Sequence, residues 1–285
     1  MKLILGAAQL GLSYGINNKE GMPTLEKSLE ILQYAYNAGI TTVDTADAYG
    51  EANDILCEFH KSGRLFNVIN KFNITDNSDK AAEKKLFSSL KKLNLSRLDC
   101  YMYHSYNQIF NQHYSSQLLL LKEKGYFNKI GVSVYSNEEL KQASEIDWLD
   151  VIQVPFNLLD NYSKKGPLLE YAKYKGKEIN IRSIYLQGLF LMNQNSFPQK
   201  LMPLKKYLLT LNKIAKNHNT SIKQIALTYP FYFKNIDKIL IGTESLSQLM
   251  ENIEIVNSSI STDIVNEINS ISVVEDELLY PQNWQ

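Results

Sequence analysis

Short apolar segments alternate along the whole chain with segments of helical periodicity, and this alternation constrains the fold more than any other feature. The apolar segments are too short for helices and are rich in Ile, Val, Leu and Tyr, as expected of parallel strands that are buried on both faces. These predicted strands are Leu3–Ala8, Thr41–Asp44, Val68–Phe72, Leu98–Tyr103, Lys129–Ser133, Val151–Val154, Glu178–Ser183 and Lys238–Ile241.

The intervening segments carry apolar residues on one helical face. The first is followed by Gly39, a candidate C-cap, and Asn137 and Ser245 are candidate N-caps. The predicted helices are Leu25–Ala38, Asp79–Leu93, Ser116–Lys124, Asn137–Glu145, Gly166–Lys175, Leu204–Asn217 and Leu246–Val256, with one more over Ser261–Ser270.

This order of strands and helices predicts a single-domain (β/α)8 TIM barrel over residues 1–285. The alternative is a doubly wound open sheet. No Gly-x-Gly-x-x-Gly pattern follows the first strand, which disfavours the dinucleotide-binding form of that alternative.

Composition excludes several other classes of protein. The 285 residues are 44% hydrophobic and 21% charged, which is ordinary for a globular chain and excludes intrinsic disorder. Lys and Arg number 30, as do Asp and Glu, so we expect neither nucleic acid nor an anionic membrane as a partner. No apolar run is long enough to cross a bilayer, and no cleavage site marks a signal peptide.

The two cysteines, Cys57 and Cys100, form neither a disulfide framework nor a metal-binding motif. We therefore expect no metal and a reducing, cytoplasmic location. We also expect a monomer or a weak oligomer.

Polar side chains lie near the ends of three consecutive predicted strands. Active sites of this fold lie at the carboxyl ends of the strands. Asp44 ends the second strand, Lys71 lies in the third, and His104 follows the fourth. Tyr49 lies in the loop after the second strand. We expect these four side chains to meet at one mouth of the barrel.

Their chemistry suggests proton transfer to a carbonyl oxygen. A free tyrosine has a pKa of about 10, and a neighbouring ammonium favours the phenolate. Lys71 would supply that ammonium, and Asp44 would keep it charged and aimed. His104 would donate a hydrogen bond to the substrate carbonyl, and Tyr49 would act as general acid. None of these groups delivers hydride, so a nicotinamide cofactor is required.

The motif Asp44-Thr45-Ala46-x-x-Tyr49-Gly50-Glu51, with Lys71 and His104 on the next strands, resembles the Asp/Tyr/Lys/His tetrad of aldo-keto reductases. The resemblance extends over nearly the whole chain, and its ordered fragments are specific together. Further fragments are Gly6-Ala7-Ala8-Gln9-Leu10-Gly11, Gly131-Val132-Ser133, Gln153 with its neighbours, Ser183 to Leu189, Ile241-Gly242-Thr243, Gln248 and Glu251-Asn252.

The resemblance implies NAD(P)(H) bound across the barrel mouth without a Rossmann fold. Ser133 and Gln153 would hold the nicotinamide carboxamide, and Ser183 would contact the pyrophosphate. Arg182 stands where an aromatic residue often stacks on the nicotinamide, and its guanidinium could stack instead. The remaining expected cofactor-binding residues are Gly6, at the start of the first motif, and Gly242, Thr243, Gln248 and Asn252 at the adenosine end.

Three departures from the family pattern bear on the cofactor. Val134 replaces an Asn that often contacts the carboxamide. Gly242 and Gln248 occupy positions where Lys and Arg often bind the 2′-phosphate, and Glu244 adds a negative charge nearby. NADP(H) is the default that the resemblance implies, and NAD(H) is possible.

The substrate pocket is expected to be open. The tail Leu278–Gln285 is short, so the long carboxyl-terminal substrate loop of steroid-type relatives is missing. An open pocket suits a small-molecule carbonyl compound, an aldehyde or ketone, with a sugar or a sugar-derived intermediate favoured. Tyr14 and Tyr106-Asn107 are candidate wall residues.

Two other functions stay open at this point. One is a non-catalytic, cofactor-binding or regulatory subunit built on the same barrel, since fold does not fix function. The other is a hydrolase or isomerase that uses Asp44 and Asp47 as paired acids. The lysine next to Asp44 and the lack of a His-rich cluster disfavour the latter.

Overall fold

The strands of the protein form one closed sheet. A computed structural model describes residues 2–74, 78, 80–193 and 196–284. Eight strands pair in chain order, and β8 pairs with β1 to close the barrel. They are β1 Leu3–Gly6, β2 Thr42–Ala46, β3 Asn67–Phe72, β4 Leu98–Tyr103, β5 Phe127–Ser133, β6 Val151–Pro155, β7 Glu178–Arg182 and β8 Lys238–Gly242. All neighbouring pairs are parallel, so the predicted single-domain TIM barrel is confirmed.

Helices follow the strands and cover the outside of the sheet. Within the described ranges the α-helices are α1 Ala8–Gly11, α2 Leu25–Asn37, α3 Ala52–His60, α4 Ala81–Leu93, α5 Gln112–Glu123, α6 Asn137–Ser144, α7 Tyr162–Tyr174, α8 Lys205–Asn217, α9 Ile222–Thr228, α10 Leu246–Val256 and α11 Thr262–Asn269. Short 3₁₀ segments include Tyr106–Phe110, Leu186–Leu191, Gln199–Leu204, Tyr229–Tyr232, Asp276–Leu279 and Pro281–Trp284. None of the helices in these ranges is long and apolar enough to span a membrane.

The structure corrects several details of the sequence interpretation. Helices α1, α3 and α9 were not predicted, and Ala8, the predicted end of the first strand, begins α1. The N-cap of α6 is Ser136 rather than Asn137, because Ser136 and Glu139 form a capping box. Ser245 does cap α10, as expected. Asp79, where the sequence analysis starts the helix that corresponds to α4, and Gln285 lie outside the described residues.

The interior of the barrel is packed at its centre and closed at its amino-terminal end. A small apolar cluster fills the centre and comprises Ile4, Ile69, Cys100, Met102 and Val151. At the amino-terminal ends of the strands, Glu178 pairs with Lys129 at 2.5 Å and with Lys238 at 3.8 Å. The barrel is therefore a core and not a pore, and the room for a ligand lies at the carboxyl ends of the strands.

Candidate active site

A cavity of about 350 Å³ opens at the carboxyl ends of the strands. It brings together nearly all the residues that the sequence assigned to catalysis or to the cofactor. Those that line it are Gly6, Asp44, Tyr49, Lys71, His104, Ser133, Gln153, Arg182, Ser183, Gly242, Gln248 and Asn252. Thr243 is the exception, and its side chain is discussed below.

The floor of the cavity holds a buried ion pair that is braced by an amide. Strand β2 continues to Ala46, two residues beyond the predicted end, so that Asp44 pairs with Ile69 in the sheet. Lys71 Nζ donates to Asp44 Oδ1 at 2.5 Å and to Gln153 Oε1 at 3.2 Å. Gln153 Nε2 donates to Asp44 Oδ2 at 2.8 Å. The Gln153 amide therefore bridges both members of the pair.

The environment of Lys71 keeps it protonated. Asp44 and Lys71 are only 1% and 3% exposed. Burial alone disfavours the ammonium, but the Asp44 carboxylate and Tyr49 outweigh that effect and raise the pKa of Lys71 above its ordinary value. Lys71 Nζ lies 5.1 Å from the centroid of the Tyr49 ring. A fixed positive charge thus lies next to the phenol.

Two glycines position Tyr49. A Cβ on Gly11 would lie 2.1 Å from the Tyr49 carbonyl oxygen, and one on Gly50 would lie 2.3 Å from the Gly11 carbonyl oxygen. Gly50 also has a φ of +53°, in the region that favours glycine. The backbones of α1 and of the β2–α3 loop therefore touch directly, and this contact fixes the height of Tyr49 above the strand ends.

His104 completes the group as a neutral side chain. Burial, and next the positive charge of Lys71, lower the pKa of His104 to about 4. Its ring packs edge-on against Tyr49, with 5.8 Å between the ring centroids. Nδ1 of His104 is buried and has no hydrogen-bond partner among the described residues. At neutral pH the imidazole carries one N–H that can donate to a carbonyl oxygen.

Asp47 faces away from the cavity. Its carboxylate accepts hydrogen bonds from Asn70 at 3.0 Å and Ser89 at 2.9 Å, and it pairs with Lys85 at 3.2 Å. The carboxylates of Asp44 and Asp47 therefore do not converge on one space, which removes the geometry that a paired-acid hydrolase or isomerase needs. Within the described ranges there is also no cluster of His, Cys, Asp or Glu suited to a metal.

Arg182 lies at the end of β7 and reaches toward β5. Its Nη2 donates to the carbonyl oxygen of Val134 at 3.0 Å and its Nη1 to Ser183 Oγ at 3.3 Å. The guanidinium carbon lies 4.3 Å from the centroid of the Tyr135 ring. The planar cation is thus stacked on an aromatic side chain while it lines the cavity.

The far end of the cavity is polar and carries a carboxylate. Thr243 is buried there, and its hydroxyl donates to the Ser245 carbonyl oxygen at 2.8 Å, so its side chain does not line the cavity. Gln248 Oε1 accepts from the Glu244 backbone N–H at 3.0 Å. Burial raises the pKa of Glu244, whose side chain lines the cavity beside Gln248.

Two loops meet across the cavity. Gln187, after β7, donates to the Tyr14 hydroxyl, after β1, at 3.0 Å. The β7 loop has positive φ values at Ser183, Leu186 and Gln187, and such strained conformations often occur at functional sites. Tyr14 lines the cavity as expected, whereas Tyr106 is buried and donates to Gln142, so it is not a wall residue.

Several lining residues were missed by sequence reasoning. They are Gln9, Tyr135, Tyr185 and Gln187. Tyr185 donates to Asn252 Oδ1 at 3.0 Å, which links the β7 loop to α10. Tyr135 and Tyr185 lie in loops just beyond strand ends, whereas Gln9 lies in α1 and Gln187 in a 3₁₀ segment. The only available signal was their proximity to Ser133, Ser183 and Gly6 in the chain. No described residue after Asn252 lines the cavity, and Trp284 donates to the Leu278 carbonyl oxygen within the tail.

Comparisons with known proteins identify the family of the chain. The profile of the aldo/keto reductase family matches residues 2–273. L-glyceraldehyde 3-phosphate reductase of Escherichia coli K12 is 26% identical, over 90% of this chain and 85% of that protein. Aldo-keto reductase YhdN of Bacillus subtilis is 24% identical, over 93% of this chain and 90% of that protein.

Solved structures show the same fold. A Pseudomonas aeruginosa protein assigned to the aldo-keto reductases superposes with a TM-score of 0.67 at 20% identity, over 90% of this chain and 89% of that one. At that identity the likeness concerns the fold alone, but the family profile matches nearly the whole chain. The protein belongs to the aldo/keto reductase family, and is an oxidoreductase.

Proposed function

We propose that this protein reduces an aldehyde or ketone to an alcohol, or catalyses the reverse reaction, with NAD(P)(H) and with Tyr49 as general acid and base. The observation that carries the proposal is the cavity in which a phenol, a buried ammonium and a neutral imidazole meet. These groups can deliver a proton to a carbonyl oxygen and stabilise the charge that develops there.

Each side chain has a distinct role in the proposal. Asp44 and Gln153 hold the Lys71 ammonium in place. Lys71 then stabilises the phenolate that Tyr49 becomes as its proton passes to the carbonyl oxygen. His104 donates its N–H to the same oxygen and orients the substrate. When bound, the cofactor supplies the hydride that none of these side chains can deliver.

The residues present fit an extended dinucleotide. One continuous cavity connects Tyr49 and Lys71 at one end with Gln248 and Asn252 at the other. Its polar lining offers a hydroxyl at Ser133 and an amide at Gln153 for a carboxamide, and Ser183 for a phosphate. Gly6 and Gly242, paired at the ends of β1 and β8, add no side chain of their own to the rim, and the Gln9 side chain packs directly against Gly242.

The adenosine end does not favour a 2′-phosphate. Glu244 lines it with a carboxylate, and Lys223, which lines the cavity in addition to Lys71, is ion-paired with Glu251. The family resemblance makes NADP(H) the default, yet a ribose with free hydroxyls suits a carboxylate better than a phosphate does. We therefore propose that the site accepts NAD(H) as well.

The proposed substrate is a polar carbonyl compound, with sugars and sugar-derived intermediates favoured. The walls near Tyr49 include the hydroxyl of Tyr14 and the amide of Gln187, which can bind hydroxyl groups. The Escherichia coli relative is named for a sugar-derived aldehyde, L-glyceraldehyde 3-phosphate.

A cofactor titration coupled to a substrate panel tests the proposal. Purified protein is titrated with NADPH and NADH by fluorescence and assayed on aldehydes, ketones and sugars. Tyr49→Phe should keep cofactor affinity and lose about 10² to 10⁴ in turnover. Tyr14→Phe, which removes another phenol hydroxyl from the same cavity, is the matched control: it should retain most of kcat and raise KM for hydroxylated substrates.

Two results would contradict the proposal. Folded protein that binds neither dinucleotide would exclude the cofactor, and a full rate for Tyr49→Phe would exclude the role of Tyr49. Protein that binds a dinucleotide but turns over no compound of the panel would favour the non-catalytic, regulatory alternative.

A further inference from the structure

Arg182 is a cation of the cavity that forms no ion pair within the described part of the chain. Lys71 is paired with Asp44, and Lys223 is paired with Glu251. Among the described residues, no carboxylate lies within the 4.0 Å ion-pair distance of Arg182. Its hydrogen bonds go to a carbonyl oxygen and a hydroxyl, which are neutral acceptors.

The position of Arg182 is fixed rather than free. One face of the guanidinium is covered by the Tyr135 ring, and two of its nitrogens are bonded to neighbouring groups. A side chain held in this way cannot swing into solvent to screen its charge, so the positive potential stays in the cavity. His104 does not add to it, because burial and Lys71 keep the imidazole neutral at pH 7.

Sheet register places this charge beside the groups proposed to hold the nicotinamide. Ser133 pairs with Gln153, and Arg182 pairs with Pro155, two residues further along β6. Arg182 also bonds to the carbonyl oxygen of Val134, the residue after Ser133. A hydride donor must reach the carbon whose oxygen Tyr49 protonates, so its ring has to lie in this part of the cavity.

We infer that Arg182 makes the site discriminate between the two redox states of its dinucleotide, with the reduced form bound more tightly than the oxidised form. The inference rests on the proposed function. An oxidised nicotinamide ring carries a positive charge, whereas a dihydronicotinamide ring is neutral and rich in electrons. A fixed guanidinium repels the former and attracts the latter.

This preference has a consequence for turnover in the reductive direction. The positive charge of Arg182 would weaken the binding of the oxidised dinucleotide, which is the product of each cycle. It would not weaken the binding of the reduced dinucleotide that starts the next cycle. We therefore expect weak product inhibition by the oxidised cofactor. Because linkage is reciprocal, the bound dinucleotide is also a better hydride acceptor than the free one.

Equilibrium binding tests the inference without any turnover. Dissociation constants for NADH and NAD⁺, and for NADPH and NADP⁺, are measured by calorimetry on the whole protein and on three variants. In the native protein the reduced form should bind at least about tenfold more tightly. Arg182→Met should reduce that ratio about tenfold, chiefly through tighter binding of the oxidised form.

Two variants serve as controls. Arg182→Lys keeps the charge and should retain most of the ratio, and it also covers the case in which Arg182→Met fails to fold. Arg97→Met removes an exposed arginine at the amino-terminal end of β4 and should leave the ratio unchanged.

The outcomes separate this inference from the proposed function. Equal affinities for the two redox states in the native protein overturn the inference, as does an unchanged ratio in Arg182→Met or a ratio lost in Arg182→Lys. In those cases dinucleotide binding, and with it the proposed function, still stands. If the native protein binds no dinucleotide at all, the proposed function fails and the inference fails with it.

Discussion

Among the described residues, two lysine–aspartate pairs are buried near the carboxyl ends of the strands, and they differ in what surrounds them. Lys71 and Asp44 contact Gln153 and lie under Tyr49 in the cavity. Lys165, in the first turn of α7, donates to Asp160 at 2.8 Å and to Asn137 at 3.0 Å. Both side chains of the Lys165–Asp160 pair are 0% exposed, and neither lines the cavity.

The two lysines respond to burial in opposite directions. Burial lowers the pKa of Lys165, and Asp160 only partly offsets this effect. For Lys71, Asp44 and Tyr49 more than offset the cost of burial, and its pKa is raised. A buried ion pair is therefore not by itself a sign of a site. What distinguishes the Lys71–Asp44 pair is a proton-transferring neighbour and a cavity.

The largest expected difference between the pairs is in catalysis. Lys71→Met should lower kcat by about 10² to 10⁴, because Tyr49 loses the charge that stabilises its phenolate. Lys165→Met should leave kcat per folded molecule unchanged, since Lys165 contacts no residue of the cavity. Steady-state assays corrected for the folded fraction measure both effects. A loss of kcat in Lys165→Met as large as that in Lys71→Met would erase the distinction.

The next difference is in stability. Asp160→Asn leaves a buried ammonium without its counter-ion and should cost about 3–5 kcal/mol of unfolding free energy. The double variant Asp160→Asn with Lys165→Met should recover most of that loss, because it removes the charge as well. Asp44→Asn should lower the free energy of unfolding less, by about 1–3 kcal/mol. The Lys71 ammonium still donates a hydrogen bond to Gln153 and still interacts favourably with Tyr49. Urea unfolding measures all three, and a larger cost for Asp44→Asn would reverse the comparison.

The sequence predicts the fold well because strands that are buried on both faces leave a clear pattern in the sequence. A parallel strand covered by helices on one side and packed inside the barrel on the other has to be apolar on both faces, so each strand is visible as a short apolar run. Helix α3 was missed because it directly follows the Tyr49-Gly50 turn and mixes polar residues among its apolar ones. Helix α9 is one short helix next to α8, and it has too few turns to show a period.

The site was predictable where chain order implies proximity or where a family motif marks the position of a residue. Asp44 and Lys71 lie in neighbouring strands and His104 directly follows the next one, so their convergence follows from the barrel, although their catalytic roles stay a prediction. The Thr243 side chain turns away from the cavity because its hydroxyl donates to the Ser245 carbonyl oxygen, and no sequence pattern predicts this hydrogen bond. The Lys165–Asp160 pair was missed because a lysine in a first helical turn is normally solvated.

A titration of His104 sharpens the comparison further. Its pKa of about 4 is set by burial and then by Lys71, so Lys71→Met should raise it toward the ordinary value near 6.5. Lys165→Met should leave it unchanged. Because the folded-state pKa is depressed, His104 makes stability fall as pH decreases from 6.5 toward 4. Proton NMR of the histidines, with His104→Gln for assignment, reads the pKa directly. An identical pKa in the native protein and in Lys71→Met would show that Lys71 does not act on His104.

The smallest expected effect is an opposite dependence of stability on alkaline pH. Unfolded lysine has a pKa of about 10.4. Lys71 keeps its proton in the folded state beyond that value, so its contribution to stability is full below pH 10.4 and declines as pH rises above it. The pKa of Lys165 is lowered, so the unfolded state binds more protons below pH 10.4 and stability rises with pH in that window. For one group, the slope of unfolding free energy against pH cannot exceed about 1.4 kcal/mol per pH unit.

Unfolding free energies of the native protein, Lys71→Met and Lys165→Met are measured between pH 8 and 11. Subtracting each variant from the native protein gives the contribution of each lysine, because the titration of all shared groups cancels. Slopes of the same sign would mean that the two pairs have similar electrostatic environments, and the buried charge of Lys71 would then no longer set the active site apart.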